Sequence, residues 1–289
     1  MGRQENIEIF ENTKQLCSAN SKLKKAIQES NRSQRFWPEA EVNDKTSEKE
    51  KPIKIYEKPA QIIVSKKRTL EAASAYTDQK VCVLNFASAS NPGGGVAKGS
   101  SAQEEAICRC STLYENLTEK HMWDKFYVPH RKERNPLHND DCIYTPGVVV
   151  FKTDAAYPRL LPEEKWYKVN VLTCAAPNLR QRPSNGMNPG DGDKAVRIRI
   201  SQKALKQLHE KRMWKVLDIA AAEGNEVVIL GAFGCGAFSN PPMVVAAAMK
   251  TVVQEYRYRF KTIEFAVYCS PRDDENYRVF SRILGKEKV

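Results

Sequence analysis

Metal-site patterns are absent. The four histidines, at 121, 130, 138 and 209, show no ligand spacing, and no C-x-x-C pair occurs among the eight cysteines. This excludes a zinc ribbon and a thioredoxin-type site, and no metal or other cofactor is called for. Cys82, Cys174 and Cys269 lie in apolar, strand-like runs and read as reduced, buried small hydrophobes. Cys108 and Cys110 are two apart on a helix and face different ways. No run approaches the roughly 18 apolar residues that cross a bilayer. The start, MGRQENIEIFENTKQLC, lacks the apolar stretch of a signal peptide, and Asn6 stands where a myristoylation site takes Ser or Thr. The expectation is no membrane association and a cytoplasmic location. Both familiar nucleotide fingerprints fail. Lys98-Gly99-Ser100 has its lysine before the glycine, so no P-loop forms, and Gly234-x-Gly236 is followed by Ser239 where a dinucleotide fold needs glycine.

Charge, by contrast, is plentiful. The 46 Lys and Arg against 35 Asp and Glu give a net charge of +11, which draws anionic partners. The densest stretch, Lys194 to Lys215, carries eight Lys or Arg against the single acid Glu210, and is equally well read as a solvated helix face. Direct nucleic-acid binding is not indicated, because no zinc finger, RNA-recognition signature or arginine-rich repeat accompanies the charge.

Apolar runs at Val81–Ala87, Gly147–Lys152, Lys168–Ala175, Glu226–Ala232 and Thr262–Cys269 have the length of strands buried on both faces. Shorter strands are expected at Ile53–Tyr56 and Gln61–Val64. Helices are expected over Thr69–Tyr76, over Ser101–Leu117 and from Pro241 to about Phe260. Strands alternating with helices predict one α/β/α domain with a mostly parallel or mixed sheet. Ile9, Thr13, Leu16, Leu23 and Ile27 share one helical face, so residues 5–30 predict an amphipathic helix. The chain therefore divides into a helical extension and linker over 1–52 and a main domain over 53–289.

The most informative run is residues 85–109, NFASASNPGGGVAKGSSAQEEAICR. Gly93-Gly94-Gly95 lets backbone approach a ligand and accepts positive φ, and a helix start behind it offers free amides. Two carboxylates delivered there suit chemistry or the gripping of hydroxyl groups better than anion binding. Glu104 has a plain structural reading, as the return arm of a Ser101-x-x-Glu104 capping box. That reading leaves Glu105 unexplained, about 100° further around the helix and facing the glycine loop. A second strand–loop–helix, Gly231-Ala232-Phe233-Gly234-Cys235-Gly236-Ala237-Phe238 ahead of Pro241, has the form of a diphosphate site.

Gly-Gly-Gly, seven residues, then Gln-Glu-Glu resembles the signature of the poly(ADP-ribose) glycohydrolases, in the compact bacterial-type branch with a macrodomain-like fold. The Gly231–Phe238 stretch, about 130 residues on, is similar to that branch's diphosphate loop. The resemblance covers most of the chain; residues 1 to about 50 are its least distinctive part. It implies a three-layer α/β/α, macrodomain-like mixed sheet and hydrolysis of the ribose–ribose O-glycosidic bond of poly(ADP-ribose), with ADP-ribose as product. Glu105 would be the acid and then the base, and Glu104, Asn85 and Asn91 would hold ribose hydroxyls. Gly93, Gly94 and Gly95 with Gly231, Gly234, Cys235, Gly236, Ala237 and Phe238 would cradle the diphosphate. Gln103 would also line the ligand, Phe238 would pack on the distal ribose, and Tyr268 would contact adenine. Because a helix start favours the ionised carboxylate, Glu105 is expected to become an acid only once substrate is bound. Two other readings fit the same motifs: a mono-ADP-ribosyl hydrolase acting on modified protein or nucleic acid, and a non-catalytic ADP-ribose-binding macrodomain.

Overall fold

The computed structural model describes residues 2–39, 54–181, 198–270 and 273–285. The extension holds two helices, α1 (Arg3–Ala19) and α2 (Ser21–Ser33), and a short strand β1 (Arg35–Trp37). The single helix expected over 5–30 is broken at Asn20, whose extended backbone and side chain cap α2 by accepting from the Lys22 and Leu23 amides. Next come β2 (Gln61–Ser65), α3 (Thr69–Ala73), β3 (Val81–Phe86), α4 (Gln103–Cys110), α5 (Leu113–Leu117), α6 (Val128–Glu133), β4 (Cys142–Val150) and β5 (Tyr167–Cys174). The chain continues through α7 (Gln202–Ala222), β6 (Val227–Leu230), α8 (Pro242–Glu255), β7 (Thr262–Ala266) and α9 (Glu275–Leu284).

Seven strands form one sheet in the order β1-β4-β5-β3-β6-β7-β2. β2, β7, β6, β3 and β5 run parallel, whereas β4 and β1 are antiparallel to their neighbours. The central β3 sends Cys82 and Leu84 to one face and Val81 and Val83 to the other, the period-two pattern of a strand buried twice. On one face Leu84 shares a core with Met213, Val245, Met249 and Phe280; on the other Val83 meets Ile107, Leu113 and Phe126. This is the expected three-layer mixed α/β architecture. The parallel strands end on one side of the sheet, and the loops after them build a crevice there, the usual ligand position in such folds.

Several local expectations change. The Ser101–Leu117 helix is two pieces, because Ser111 turns extended and bridges Val150. Residues 54–56 form no strand; the Ile55 and Tyr56 amides both donate to the Tyr258 carbonyl, and Ile53 lies outside the described residues. Cys269 follows β7 and is half-buried rather than core.

The extension is welded to the domain. Phe10 is fully buried against Tyr114, with ring centroids 4.8 Å apart and nearly perpendicular. Thr13 Oγ1 donates to the Arg109 carbonyl at 2.6 Å, and the buried Lys152 ammonium donates to Thr13 Oγ1 and the Ile9 carbonyl. β1 adds a strand to the sheet beside β4. The expected boundary at residues 52 and 53 falls outside the described residues. Among the described residues, no helix is long and apolar enough to cross a membrane, and no group of His, Cys, Asp or Glu is placed to hold a metal ion.

Candidate active site

A cavity of about 660 Å³ opens at the carboxyl ends of the parallel strands, within the usual size of small-ligand sites. Its floor is the start of α4 and the glycine loop, and one wall is the loop after β6.

The glycine run has a different task at each position. Gly93 and Gly94 both have positive φ, 67° and 59°. A Cβ on Gly93 would meet the Tyr114 ring at 2.8 Å and the Cys108 sulfur at 3.3 Å, so Gly93 is a packing glycine and does not line the cavity. A Cβ on Gly94 would lie 2.6 Å from Glu105 Oε1 and 3.1 Å from Glu104 Oε2, so the two carboxyl groups converge over this residue. The loop amides are already engaged. That of Gly94 donates to the Asn91 carbonyl, that of Gly95 to Glu105 Oε1 at 2.9 Å, and that of Gly93 to Glu104. The run expected to cradle a diphosphate thus holds the two carboxyl groups in place.

α4 begins at Gln103 with Ala102 as its uncapped N-cap, so the Ser101–Glu104 capping box does not form. Glu104 Oε2 instead accepts from the Ser88 amide at 2.7 Å, and its Oε1 lies 3.3 Å from Asn85 Nδ2. The tertiary donors across the crevice satisfy this carboxyl group better than a return to its own helix end would. Gln103 borders the cavity, yet its side chain is spent joining α4 to β3. Its Oε1 accepts from the Phe86 amide, and its Nε2 donates to the Leu84 carbonyl and Thr69 Oγ1.

Glu105 is 7% exposed. Oε1 takes the Gly95 amide, whereas Oε2 is buried with no partner among the described residues. Burial raises its carboxyl pKa above the ordinary value, and the Gly95 amide and the Arg109 charge only partly offset this. Burial thus supplies, before any substrate binds, part of the rise that was expected from bound substrate. Glu104 is pushed up further, by burial first and the neighbouring Glu105 second. Both oxygens of Glu104 face donors, however, while Glu105 Oε2 faces none. A proton carried by the pair is best accommodated on Glu105 Oε2.

The loop after β6 supplies free donors. The amides of Phe233, Cys235, Ser239 and Asn240 bond back to loop carbonyls, while those of Gly234, Gly236, Ala237 and Phe238 have no acceptor among the described residues. Gly234 has φ 78°, and a Cβ there would meet Ala176 Cβ and Asn240 Nδ2, each at 2.7 Å.

The structure thus brings Gly94, Gly95, Gln103, Glu104, Glu105, Gly234, Gly236, Ala237, Phe238 and Tyr268 to one cavity. Asn85, Asn91, Gly93, Gly231 and Cys235 stand outside its lining. Asn85 is fully buried behind Glu104, bonded to it and to Thr173 Oγ1. Asn91 Oδ1 accepts from Arg131. Gly231 backs onto the Ala266 carbonyl, where a Cβ would stand at 2.6 Å, and the Cys235 thiol lies beside the Phe233 carbonyl. Sequence reasoning missed Arg3, Arg68, Asp154, Arg180 and Asn276, which also line the cavity. Arg68 lies 3.8 Å over the half-exposed Tyr268 ring. Asp154 Oδ2 accepts from the Leu70 amide, and burial raises its carboxyl pKa. A carboxylate two residues past the run Gly147–Lys152 was the one available signal for Asp154. The arginines carry none, being isolated basic residues in a basic chain.

Residues 3–153 match the family described as microbial-type PARG, catalytic domain. Among solved structures, the chain is similar to the poly(ADP-ribose) glycohydrolase of Thermomonospora curvata, with 30% identity over 96% of this chain and 99% of that one and a TM-score of 0.82. The same enzyme bound to the inhibitor ADP-HPD gives a TM-score of 0.79 at 30% identity, with the same coverage. The Deinococcus radiodurans poly(ADP-ribose) glycohydrolase in complex with ADP-ribose is 28% identical over 90% of this chain and 96% of that one, with a TM-score of 0.73. No curated protein sequence matches the chain significantly.

Proposed function

The chain belongs to the microbial-type poly(ADP-ribose) glycohydrolases, and from that premise we propose which of its residues bind the polymer and break its ribose–ribose bond. The enzyme is an O-glycosyl hydrolase that releases ADP-ribose. The observation that carries the assignment of roles is the Glu105 carboxyl group, with one oxygen fixed by the Gly95 amide and the other buried without a partner.

Glycosidic bonds break through an oxocarbenium-like state while an acid protonates the departing oxygen. Glu105 Oε2 gives its proton to the 2′-oxygen of the leaving ribose as the bond from that oxygen to the anomeric carbon breaks. The resulting carboxylate, still held by the Gly95 amide, takes a proton from the water that attacks the anomeric carbon. The enzyme returns to its starting protonation state. Glu104, braced by Asn85 and the Ser88 amide, accepts a hydroxyl of the ribose being cleaved. The free amides at Gly234, Gly236, Ala237 and Phe238 hold the diphosphate, with Arg180 beside the Phe238 ring adding positive charge. The Tyr268 ring, overlaid by Arg68, offers an aromatic face for adenine. Poly(ADP-ribose) is the substrate and ADP-ribose the product. ADP-ribosylated protein or nucleic acid presents the same terminal unit and is the competing substrate to test.

A non-catalytic binding role accounts less well for the site, because a reader gains nothing from burying two adjacent carboxyl groups at the cost of their desolvation. Glu105→Gln preserves shape and an acceptor for the Gly95 amide while removing the transferable proton. Release of ADP-ribose from polymer, identified as the product, should fall by about 10²–10⁴-fold, the scale of general acid–base catalysis. ADP-ribose affinity should stay within a few-fold of the parent. A variant that retains full turnover removes Glu105 from the mechanism; a parent that binds no ADP-ribose removes the functional reading.

A further inference from the structure

Behind the loop after β6 stands a buried polar pair that the reaction itself does not use. Asn240 and His209 are 2% and 1% exposed, and neither lines the cavity. Asn240 Nδ2 lies within donor range of three carbonyls: Pro177 at 2.6 Å, Gly234 at 3.0 Å and Phe238 at 3.3 Å. Its backbone amide also donates to the Gly234 carbonyl. Its Oδ1 is 2.9 Å from His209 Nε2 on α7. For that contact to be a hydrogen bond, Nε2 must carry the hydrogen, which leaves the buried Nδ1 as a bare acceptor, and Nδ1 has no partner among the described residues. Burial holds the imidazole neutral, lowering its pKa to about 4, so this single-proton arrangement persists at neutral pH.

The geometry couples three elements. Pro177 belongs to the segment leaving β5, Gly234 and Phe238 bracket the free amides of the loop, and His209 is set in the α7 face that packs on the sheet. Leu179 closes the same circuit, its amide donating to the Phe238 carbonyl at 2.9 Å. The two carbonyls held by Asn240 bracket residues 235–237 of the loop, and the amides of Gly236, Ala237 and Phe238 between them have no acceptor among the described residues. Gly234 is obligatory to this arrangement, because any Cβ there would strike Asn240 Nδ2.

We propose that Asn240, braced by His209, is a positioning residue that presets the amide cradle for the substrate's diphosphate. The proposal rests on the functional reading above for what the cradle holds. The pair lies behind the loop and touches none of the reacting atoms, so its loss should weaken binding more than it slows the bound complex. A preformed cradle spares the ligand the cost of ordering it.

The test compares Asn240→Ala, His209→Leu and His209→Gln with the parent, reading ADP-ribose Kd, KM and kcat on polymer, and hydrogen exchange of the bonded loop amides of Phe233, Cys235 and Ser239 without ligand. Asn240→Ala and His209→Leu should raise Kd and KM roughly tenfold, the scale of losing one well-made buried hydrogen bond, with kcat changed by about threefold or less. Exchange across the loop should speed up while the β3 amides keep their protection. His209→Gln, whose side-chain amide can donate to Asn240 Oδ1, should recover most of the affinity. The proposal is overturned if folded Asn240→Ala keeps parental Kd and parental loop exchange, or if kcat and KM fall together with a general loss of protection. Should the parent fail to bind ADP-ribose, the functional reading goes, and the loop exchange alone still decides whether Asn240 sets the loop.

Discussion

Gly94→Ala separates backbone strain from displacement of the carboxyl groups, and Gly147 provides its control. Both glycines have positive φ, 59° at Gly94 and 69° at Gly147. Placing an alanine in that region costs about 1–2 kcal/mol from contact between Cβ and its own backbone. The surroundings differ. A Cβ at Gly147, in the irregular stretch of β4 between Thr145 and Val148, meets nothing within 4 Å. At Gly94 it would stand 2.6 Å from Glu105 Oε1 and 3.2 Å from its carboxyl carbon, distances that only a shift of the carboxyl group relieves. Restoring ordinary contact moves Glu105 by about 1 Å, and misplacement on that scale costs on the order of 10²-fold in rate. Gly147→Ala should therefore lower Tm by several degrees, at roughly 2–4 °C per kcal/mol, and leave kcat on polymer unchanged. Gly94→Ala should lower Tm by at least as much and kcat by about two orders of magnitude. Differential scanning calorimetry and an initial-rate assay for released ADP-ribose measure both. A Gly94→Ala protein with kcat within threefold of the parent would refute the reasoning, since the carboxyl groups would then not need the place they occupy.

Two further outcomes follow from the buried charges. Because burial raises the Glu105 carboxyl pKa, the active protonated form is abundant at low pH and is lost as pH rises through that raised value. The alkaline limb of kcat/KM on polymer should therefore lie above the ordinary carboxyl range near 4.3, and a limb at or below that range would contradict it. Fully buried Arg212 donates to Asp140 Oδ1 at 2.8 Å and to the Ala175 carbonyl at 2.7 Å. Asp140→Ala strands that guanidinium and should cost about 3–5 kcal/mol, a Tm loss of roughly 10 °C. A calorimetric loss under two degrees would show the pair to be dispensable.

The architecture was legible wherever a local pattern encodes it. The apolar run at Val81–Phe86 announced a doubly buried strand, and Gly-Gly-Gly before Gln-Glu-Glu announced a permissive loop beside two carboxyl groups, because backbone freedom and side-chain spacing are properties of neighbours in sequence. That the loop holds those carboxyl groups, where a diphosphate was expected, was not legible. Element ends were less legible. Ser101 and Glu104 satisfy the pattern of a capping box, yet Glu104 turns to the Ser88 amide, a donor made available only once β3 and α4 are packed. The same holds at Ser111, where pairing with Val150 interrupts a helix that the residues alone would continue.

What the sequence determined by itself was the set of chemical groups and the strands and loops that carry them. The tertiary structure decided which of those groups meet and in what state. Asn6 Nδ2 reaches the Gly99 carbonyl across 93 positions, bringing the first helix to the rim of the cavity together with Arg3. Asn85, a candidate for ribose contact, became the support behind Glu104. The proton affinity of Glu105 was also set by packing: its position at a helix start favours the carboxylate, whereas burial in the folded chain raises its pKa despite the backbone amides that oppose the rise.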